Sequence, residues 1–478
     1  MKFAAVTIAL CVTLGTAVTT PRAVGLDITR RTIDDDIPTK DGARIRKRQS
    51  TVEQTLDNLD TLYFANLTLG TPPQDIQLHV DTGSSDLWVN VPQSSLCRST
   101  VYPCKGGTYD TTASSSYDFV NSEFNISYVD GSGALGDYVT DTLGFGGVTL
   151  RDFQFGIGRT SSSQQGVLGI GYAINEVQVN RAELDPYPNL PVALKNNGHI
   201  KSTAYSLWLN DLDASTGTIL FGGVDTAQYE GDLATVPILL TYGTYSTLSI
   251  ALTGFAFNGN DIKSSSLPAG VLLDSGSTLS YLPSDIVTQI YDQIRAVYVD
   301  SVGAAYAPCS LASSSSSLDF VFSGKQISVP FNELLLDGQT TSGRPLSFDN
   351  GEKACLFGIA PSPGGGIFVL GDTFLRSGYI VYDLENNEIS LAQTRFNATG
   401  HDVREIGTGT SPVPGATPVP NPVTNVAGAT NGGLLGGVSA TVSGGLGSPT
   451  GQAESSGVSN AASATFAAVV AIAVAIIL

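Results

Sequence analysis

The sequence predicts a mostly β protein built as two pseudo-symmetric lobes, and three observations carry that reading. The 478 residues include 53 Gly, 18 Tyr and many Ser and Thr but one Met, a composition of short strands and turns rather than helical bundles. The motif Asp-(Thr/Ser)-Gly-Ser occurs twice, each time at the end of an apolar run and a lobe's length apart. Each copy is followed later by an apolar-apolar-Gly partner. Apolar residues make up 42% of the chain and charged residues 14%, enough to fill a core and too few charges for a disordered polyelectrolyte. At roughly 150 residues per domain the length allows about three units. The formal charge of −19, from 43 acidic and 24 basic residues, has the wrong sign for a nucleic-acid binder.

Taken in chain order, residues 1–20 read as a secretory signal peptide: Lys2, the apolar run Phe3–Leu14, then small residues around Gly15-Thr16-Ala17. Residues 21–48 read as a propeptide ending in the dibasic pair Lys47-Arg48. Its removal leaves 15 basic and 38 acidic residues, a mature chain near −23. Secretion agrees with the cysteines. Cys11 leaves with the signal peptide, and four remain. Three pairings of these are possible; the local one, Cys97–Cys104 with Cys309–Cys355, keeps each bridge within one half. No Cys has a neighbouring His at ligand spacing, so no metal is expected. Asn66-Leu67-Thr68, Asn125-Ile126-Ser127 and Asn397-Ala398-Thr399 are glycosylation sequons.

The amino-terminal lobe is assigned to 49–235 and the carboxyl-terminal lobe to 236–400. The first copy of the motif is Ile76-Gln77-Leu78-His79-Val80-Asp81-Thr82-Gly83-Ser84-Ser85, with Val167-Leu168-Gly169 as its partner. The second is Gly270-Val271-Leu272-Leu273-Asp274-Ser275-Gly276-Ser277-Thr278, with Phe368-Val369-Leu370-Gly371. Runs such as Tyr205–Leu209 and Gly378–Tyr382 read as strands, and Ser284–Tyr298 reads as a helix with Ile286, Ile290 and Ile294 on one face.

An Asp that ends an apolar strand is costly to bury unless hydrogen-bonded. Gly83 and Gly276 allow a tight turn that aims backbone N–H groups at the carboxylate. Hydroxyls of Thr82, Ser84, Ser275 and Ser277 are placed to hold the carboxylates and connect the two turns. If a pseudo-two-fold axis relates the halves, Asp81 and Asp274 face each other and share a proton. One then acts as general base on a water and the other as general acid toward a carbonyl oxygen.

Residues 401–457 read as an extended Gly/Ser/Pro/Thr-rich stalk, with Glu454 the sole charge from Gly407 to the end. Residues 458–478 read as a removed signal for a GPI lipid anchor: small residues Ser455, Ser456 and Gly457, a polar spacer, then the apolar tail Phe466–Leu478. Asn460 is a second candidate attachment residue. As a helix that tail spans about 20 Å, short of a ~30 Å hydrocarbon core; a tail-anchor helix starting near Ala461 is the alternative.

Asp81-Thr82-Gly83-Ser84-Ser85 with Leu87-Trp88-Val89, and Asp274-Ser275-Gly276-Ser277, resemble the two active-site motifs of pepsin-like aspartic proteases. The likeness runs from Tyr63 to Ala392. It implies the bilobal acid-protease fold with an active-site cleft between the lobes, no cofactor, and Asp81 and Asp274 as the catalytic pair. Phe124–Ser132 resembles the flap hairpin, so the likeness makes Tyr128 the residue that closes over bound peptide, with Asp130 and Gly131 beside it and Trp88 its hydrogen-bonding neighbour. The signal, dibasic site and lipid signal resemble fungal yapsins and candidapepsin-type GPI-anchored enzymes. Ser277 departs from the Thr common at that position but keeps the hydroxyl.

The implied function is an aspartic endopeptidase, made as a zymogen, that cleaves peptide or protein substrates at acidic pH on the extracellular face of the plasma membrane or cell wall, as a monomer. Asp130 and the acidic lobes favour substrates with Lys or Arg near the cut; cleavage at hydrophobic sites is the alternative. A catalytically inactive binding or inhibitor protein of the same fold is the competing function. A two-carboxylate glycosidase leaves the repeated turn and the flap unexplained, and Ser or Cys nucleophiles lack His partners.

Overall fold

Apolar runs that end in the repeated motif become short strands buried on both faces, and the two halves lay them out in the same order. The computed structural model describes residues 22–426, apart from 33–60, 99–103, 105, 129–131, 215, 301–302, 339–343 and 364–366. In the first half Thr61–Leu69 pairs antiparallel with Gln74–Asp81, which runs parallel to Gly166–Gly169. That strand is antiparallel to Leu87–Asn90, itself parallel to Val148–Ser161. In the second half Ser249–Leu252 pairs antiparallel with Ala269–Leu273, which runs parallel to Phe368–Leu370. Phe368–Leu370 is antiparallel to Ser280–Leu282, itself parallel to Ile359–Pro361. The internal repeat of the sequence is therefore a repeat of topology. Near-continuous apolar strands such as Val271-Leu272-Leu273 fit this arrangement, because parallel strands are covered on both sides.

A sheet of fourteen strands carries the first half and crosses into the second, where Gly378–Asp383 pairs with Ala204–Trp208 and Glu388–Thr394 with Tyr229–Pro237. The lobes thus share a continuous hydrogen-bonded floor. The expected helix is realised as Ser284–Ile294, with Ile286, Val287, Ile290, Tyr291 and Ile294 buried. It stops short of Tyr298 because Arg295 takes a left-handed conformation and the chain turns into the strand Val297–Val299. Both local disulfides form: Cys97–Cys104 and Cys309–Cys355, with Cα–Cα distances of 4.8 and 5.0 Å.

At both ends, segments read as lying outside the lobes contain ordered strands. Part of the stretch read as propeptide, Val24–Thr32, lies inside the large sheet between Thr216–Phe221 and Thr61–Leu69, with Val24, Leu26 and Ile28 buried. Their period of two gives this leader strand one apolar face, so it takes a place in the core. The stretch read as stalk is folded to Val426. Val403–Glu405 pairs with Gly223–Asp225, and Ala416–Pro418 lies parallel on Leu233–Thr235. Ile406, Val413, Val419 and Val426 are buried. A segment too polar to build its own core can still be ordered, one apolar residue at a time, on edges that another sheet supplies. The expected signal peptide, Lys47-Arg48, and Ser455, Ser456, Gly457 and Asn460 lie outside the described residues. Among the described residues no helix is long and apolar enough to cross a membrane.

Candidate active site

Asp81 ends the strand Gln74–Asp81, and Asp274 follows Ala269–Leu273. Both are fully buried. Each carboxylate sits in the same cage. Gly83 N donates to Asp81 Oδ1 at 2.8 Å and the Ser84 hydroxyl donates to Oδ2. Gly276 N donates to Asp274 Oδ1 at 2.8 Å, and the Ser277 hydroxyl to Oδ2 at 2.7 Å.

The residue between aspartate and glycine ties the turns together across the pseudo-axis. Thr82 Oγ1 donates to Leu273 O at 2.8 Å and accepts from Ser275 N at 3.0 Å. Reciprocally, Ser275 Oγ donates to Val80 O at 3.0 Å and accepts from Thr82 N at 3.2 Å. Each hydroxyl thus satisfies one donor and one acceptor of the opposite turn, which fixes the two carboxyls relative to each other. His79 adds a fifth link, its Nε2 to Ser275 O at 3.3 Å. Burial pushes this imidazole down to about 4, so above that pH it is neutral, with Nε2 carrying the hydrogen that the carbonyl accepts.

The partner glycines close the back of each turn. A Cβ on Gly169 would lie 2.6 Å from Asp86 N, and one on Gly371 would lie 2.3 Å from Ser277 O. Neither site has room for a side chain, which is why the apolar-apolar-Gly pattern accompanies the motif.

Each carboxyl influences the proton affinity of the other. Burial first, then the charge of Asp274, pushes the Asp81 carboxyl well above the usual range. Burial pushes Asp274 up to about 6, against hydrogen bonds from Ser277 and the turn that favour its charged form. The pair can therefore hold a shared proton in mildly acid solution.

The family model of eukaryotic aspartyl proteases matches residues 62–394, spanning both turns. The chain belongs to this family. It is 55% identical over 407 residues, 84% of this chain and 82% of the relative, to the probable aspartic-type endopeptidase opsB of Aspergillus oryzae. It is 39% identical over 381 residues, 77% of this chain and 85% of the relative, to secreted aspartic protease 4 of Candida albicans. The crystal structure of an aspartic proteinase from Irpex lacteus superposes with a TM-score of 0.58 at 21% identity, covering 71% of this chain and 96% of the other. That likeness shows the fold alone. The protein is an aspartic-type endopeptidase.

The segment that resembles a flap lies on a hairpin, Asp118–Ser127 with Gly133–Phe145. Trp88 Nε1 donates to Tyr128 Oη at 2.7 Å, and Tyr128 N donates to Ser132 O at 2.8 Å. Trp88 and Tyr128 share an apolar cluster with Phe124, Ile126, Ala134, Tyr138, Val167, Val177 and Tyr187. Asp130 and Gly131 fall outside the described residues. Of the sequon asparagines, Asn66 and Asn397 are exposed and Asn125 is half-buried on a flap strand. Among the described residues the one grouping with metal-like spacing, Cys309, Asp337 and Cys355, has both sulfurs spent in the disulfide.

Sequence reasoning missed two buried charged groups of the protease. Asp86, five residues after Asp81, accepts from Tyr138 Oη at 2.5 Å, Tyr187 Oη at 2.9 Å and Val177 N at 2.9 Å. Beside it, Glu176 accepts from Tyr187 N at 2.8 Å and is pushed up to about 10, by burial first and the charge of Asp86 second. An acidic residue inside Ser85-Asp86-Leu87-Trp88-Val89 was the visible signal. Glu176 had none. Behind the second turn, Arg376 Nε meets Glu333 Oε2 at 2.6 Å with both side chains fully buried. Asp372 lies there too, and burial raises its carboxyl well above the usual range, against the pull of Arg376.

Proposed function

We propose that Asp81 and Asp274 hydrolyse peptide bonds at acidic pH by activating water between them. The observation that supports this most directly is the pair of matching cages, joined by the Thr82 and Ser275 hydroxyls, that holds two buried carboxyls whose proton affinities are linked. With one proton on the pair, the ionised carboxylate takes a proton from water as its oxygen attacks the peptide carbonyl carbon. The protonated carboxyl gives its proton to the carbonyl oxygen, and a tetrahedral diol forms. Proton transfer to the amide nitrogen then lets the C–N bond break, giving an acid and an amine and returning the dyad to its starting charge. No covalent intermediate is needed. Tyr128, braced by Trp88, is assigned to closing the flap over the peptide.

The reading extends to secretion as a zymogen and attachment to the cell surface through a GPI anchor. Its supports are the leader sequence, two disulfides, three sequons and the carboxyl-terminal apolar tail, together with a relative named a secreted aspartic protease. Preference for Lys or Arg near the cut rests on the acidic charge of the mature chain. An inactive binding protein is disfavoured because both turns keep every catalytic and supporting group.

The test is Asp81→Asn in the secreted protein, assayed on a peptide library between pH 4 and 6 with and without a statine-type inhibitor. Loss of cleavage with unchanged secretion and folding is the expected result; cleavage retained by the variant overturns the mechanism. The same library reads out the side-chain preference.

A further inference from the structure

The flap hairpin combines two features that the dyad does not use. One is the sequon Asn125-Ile126-Ser127. The other is exposed apolar surface: of seven large hydrophobic side chains exposed among the described residues, Phe119, Val120 and Leu135 belong to this hairpin. Asn125 pairs directly across from Leu135, and Leu135 across from Thr160. Residues directly opposite in an antiparallel pair share a face, with Cβ atoms about 5 Å apart. The neighbours Phe124 and Ile126 point the other way, into the cluster that holds Trp88 and Tyr128. Asn125, Leu135 and Thr160 therefore form a row on the outer face. Leu135 is 50% exposed in that row.

The three sequon asparagines differ in their engagement. Asn66 Oδ1 accepts from Gln77 Nε2 at 3.1 Å, and Asn397 Nδ2 reaches Asp211 Oδ2 at 3.5 Å. The Asn125 side chain has no hydrogen-bond partner among the described residues, and the Ser127 hydroxyl that completes its sequon is exposed.

We infer that Asn125 carries an N-linked glycan that lies over Leu135 on the outer face of the flap hairpin and restricts access of broad substrates to the cleft. This rests on the secretory reading above. In the attachment step the Asn125 amide nitrogen displaces a lipid diphosphate from C1 of an oligosaccharide donor; the C–N bond forms, the C–O bond to diphosphate breaks, and the amide loses one proton. The C–H faces of the first sugars cover the leucine that the protein leaves uncovered. Tyr128 is three residues further, about 10 Å along an extended strand, so the glycan rides on the same hairpin that closes over the peptide. A short peptide passes beneath it, whereas a folded protein substrate meets its bulk.

The full chain, secreted from a eukaryotic host, is compared with Asn125→Gln and Ser127→Thr, the second of which preserves the sequon. Glycopeptide mass mapping is expected to find the glycan at Asn125 in the parent and in Ser127→Thr. Asn125→Gln is expected to bind an apolar dye several-fold more strongly, and Leu135→Ser in that background to abolish the excess. On a folded protein substrate kcat/KM is expected to rise several-fold in Asn125→Gln, with cleavage of a short peptide unchanged. An unmodified Asn125 beside glycosylated Asn66 or Asn397 overturns the inference and leaves the secretory reading intact. So does a glycan whose loss alters neither dye binding nor the protein-to-peptide ratio. Absence of glycan at all three sites overturns both.

Discussion

The two aspartate turns are nearly superposable in their hydrogen bonds and differ in what lies behind them. The first turn runs on through Asp86 into Trp88 and its aromatic cluster, where, among the described residues, neither Glu176 nor Asp86 has a salt-bridge partner. The second turn backs onto Asp372 and the buried Arg376–Glu333 pair. Duplication thus supplies a symmetric pair of carboxyls, and the unduplicated surroundings differ: an aromatic cluster with two buried acids behind one turn, a buried ion pair behind the other. Chemistry that needs two like groups and one substrate direction requires both.

If the cages are equivalent in chemistry, Asp274→Asn and Asp81→Asn should each lower kcat by about 10³-fold or more, measured on a peptide at pH 4–5. A large difference between them would break the symmetry at its centre. The supports should differ next. Arg376→Ala leaves Glu333 buried without its cation and is expected to cost about 3–5 kcal/mol of stability by denaturant unfolding, whereas among the described residues the first turn has no such pair to lose. The cross-links should again be equal: Thr82→Val and Ser275→Ala each strand buried donors and acceptors of the opposite turn, costing about 1–3 kcal/mol. Unequal losses would show that one turn carries the other.

The pH response separates the halves further. A carboxyl whose folded value is raised binds its proton more tightly in the folded state, so its contribution is full below the ordinary carboxyl range and is lost as pH rises. Asp274 withdraws its contribution up to about pH 6, and Glu176 continues to withdraw its own up to about 10. Glu176→Gln, a permanently neutral near-isostere, should therefore leave Tm unchanged near pH 4 and raise it above the parent at pH 8, as followed by thermal melts. Equal melts at pH 8 would remove Glu176 from the account. The smallest effect is expected from Trp88→Phe, which deletes the 2.7 Å bond to Tyr128. It should cost about 0.5–1.5 kcal/mol in kcat/KM, carried by KM.

Legibility followed locality. Asp81–Ser85 and Asp274–Ser277 could be read because each turn's requirements lie within a few residues: an apolar lead, a glycine for the turn and hydroxyls for the carboxylate. Gly169 and Gly371 were visible as a pattern, but their reason, backbone pressed against the turn, depends on contacts far along the chain. That residues 24–32 form a strand in the large sheet could not be read locally, because a basic, cleavable segment and a core strand have compatible sequences, and Val24, Leu26 and Ile28 are too few to decide. The tail failed for the opposite reason. Its own composition cannot make a core, yet Ile406, Val413, Val419 and Val426 find pockets on surfaces formed elsewhere.

By itself the sequence determined the two-lobed β architecture, the carboxyl pair with its supporting hydroxyls, and the family they resemble, because these depend on short-range backbone geometry repeated twice. Only the tertiary structure decided how Thr82 and Ser275 lock the turns together, which acids are buried without a cation, and that the fold extends from the leader strand to Val426. Those outcomes depend on desolvation and on edges offered by distant strands, and neither is encoded at any single stretch of chain.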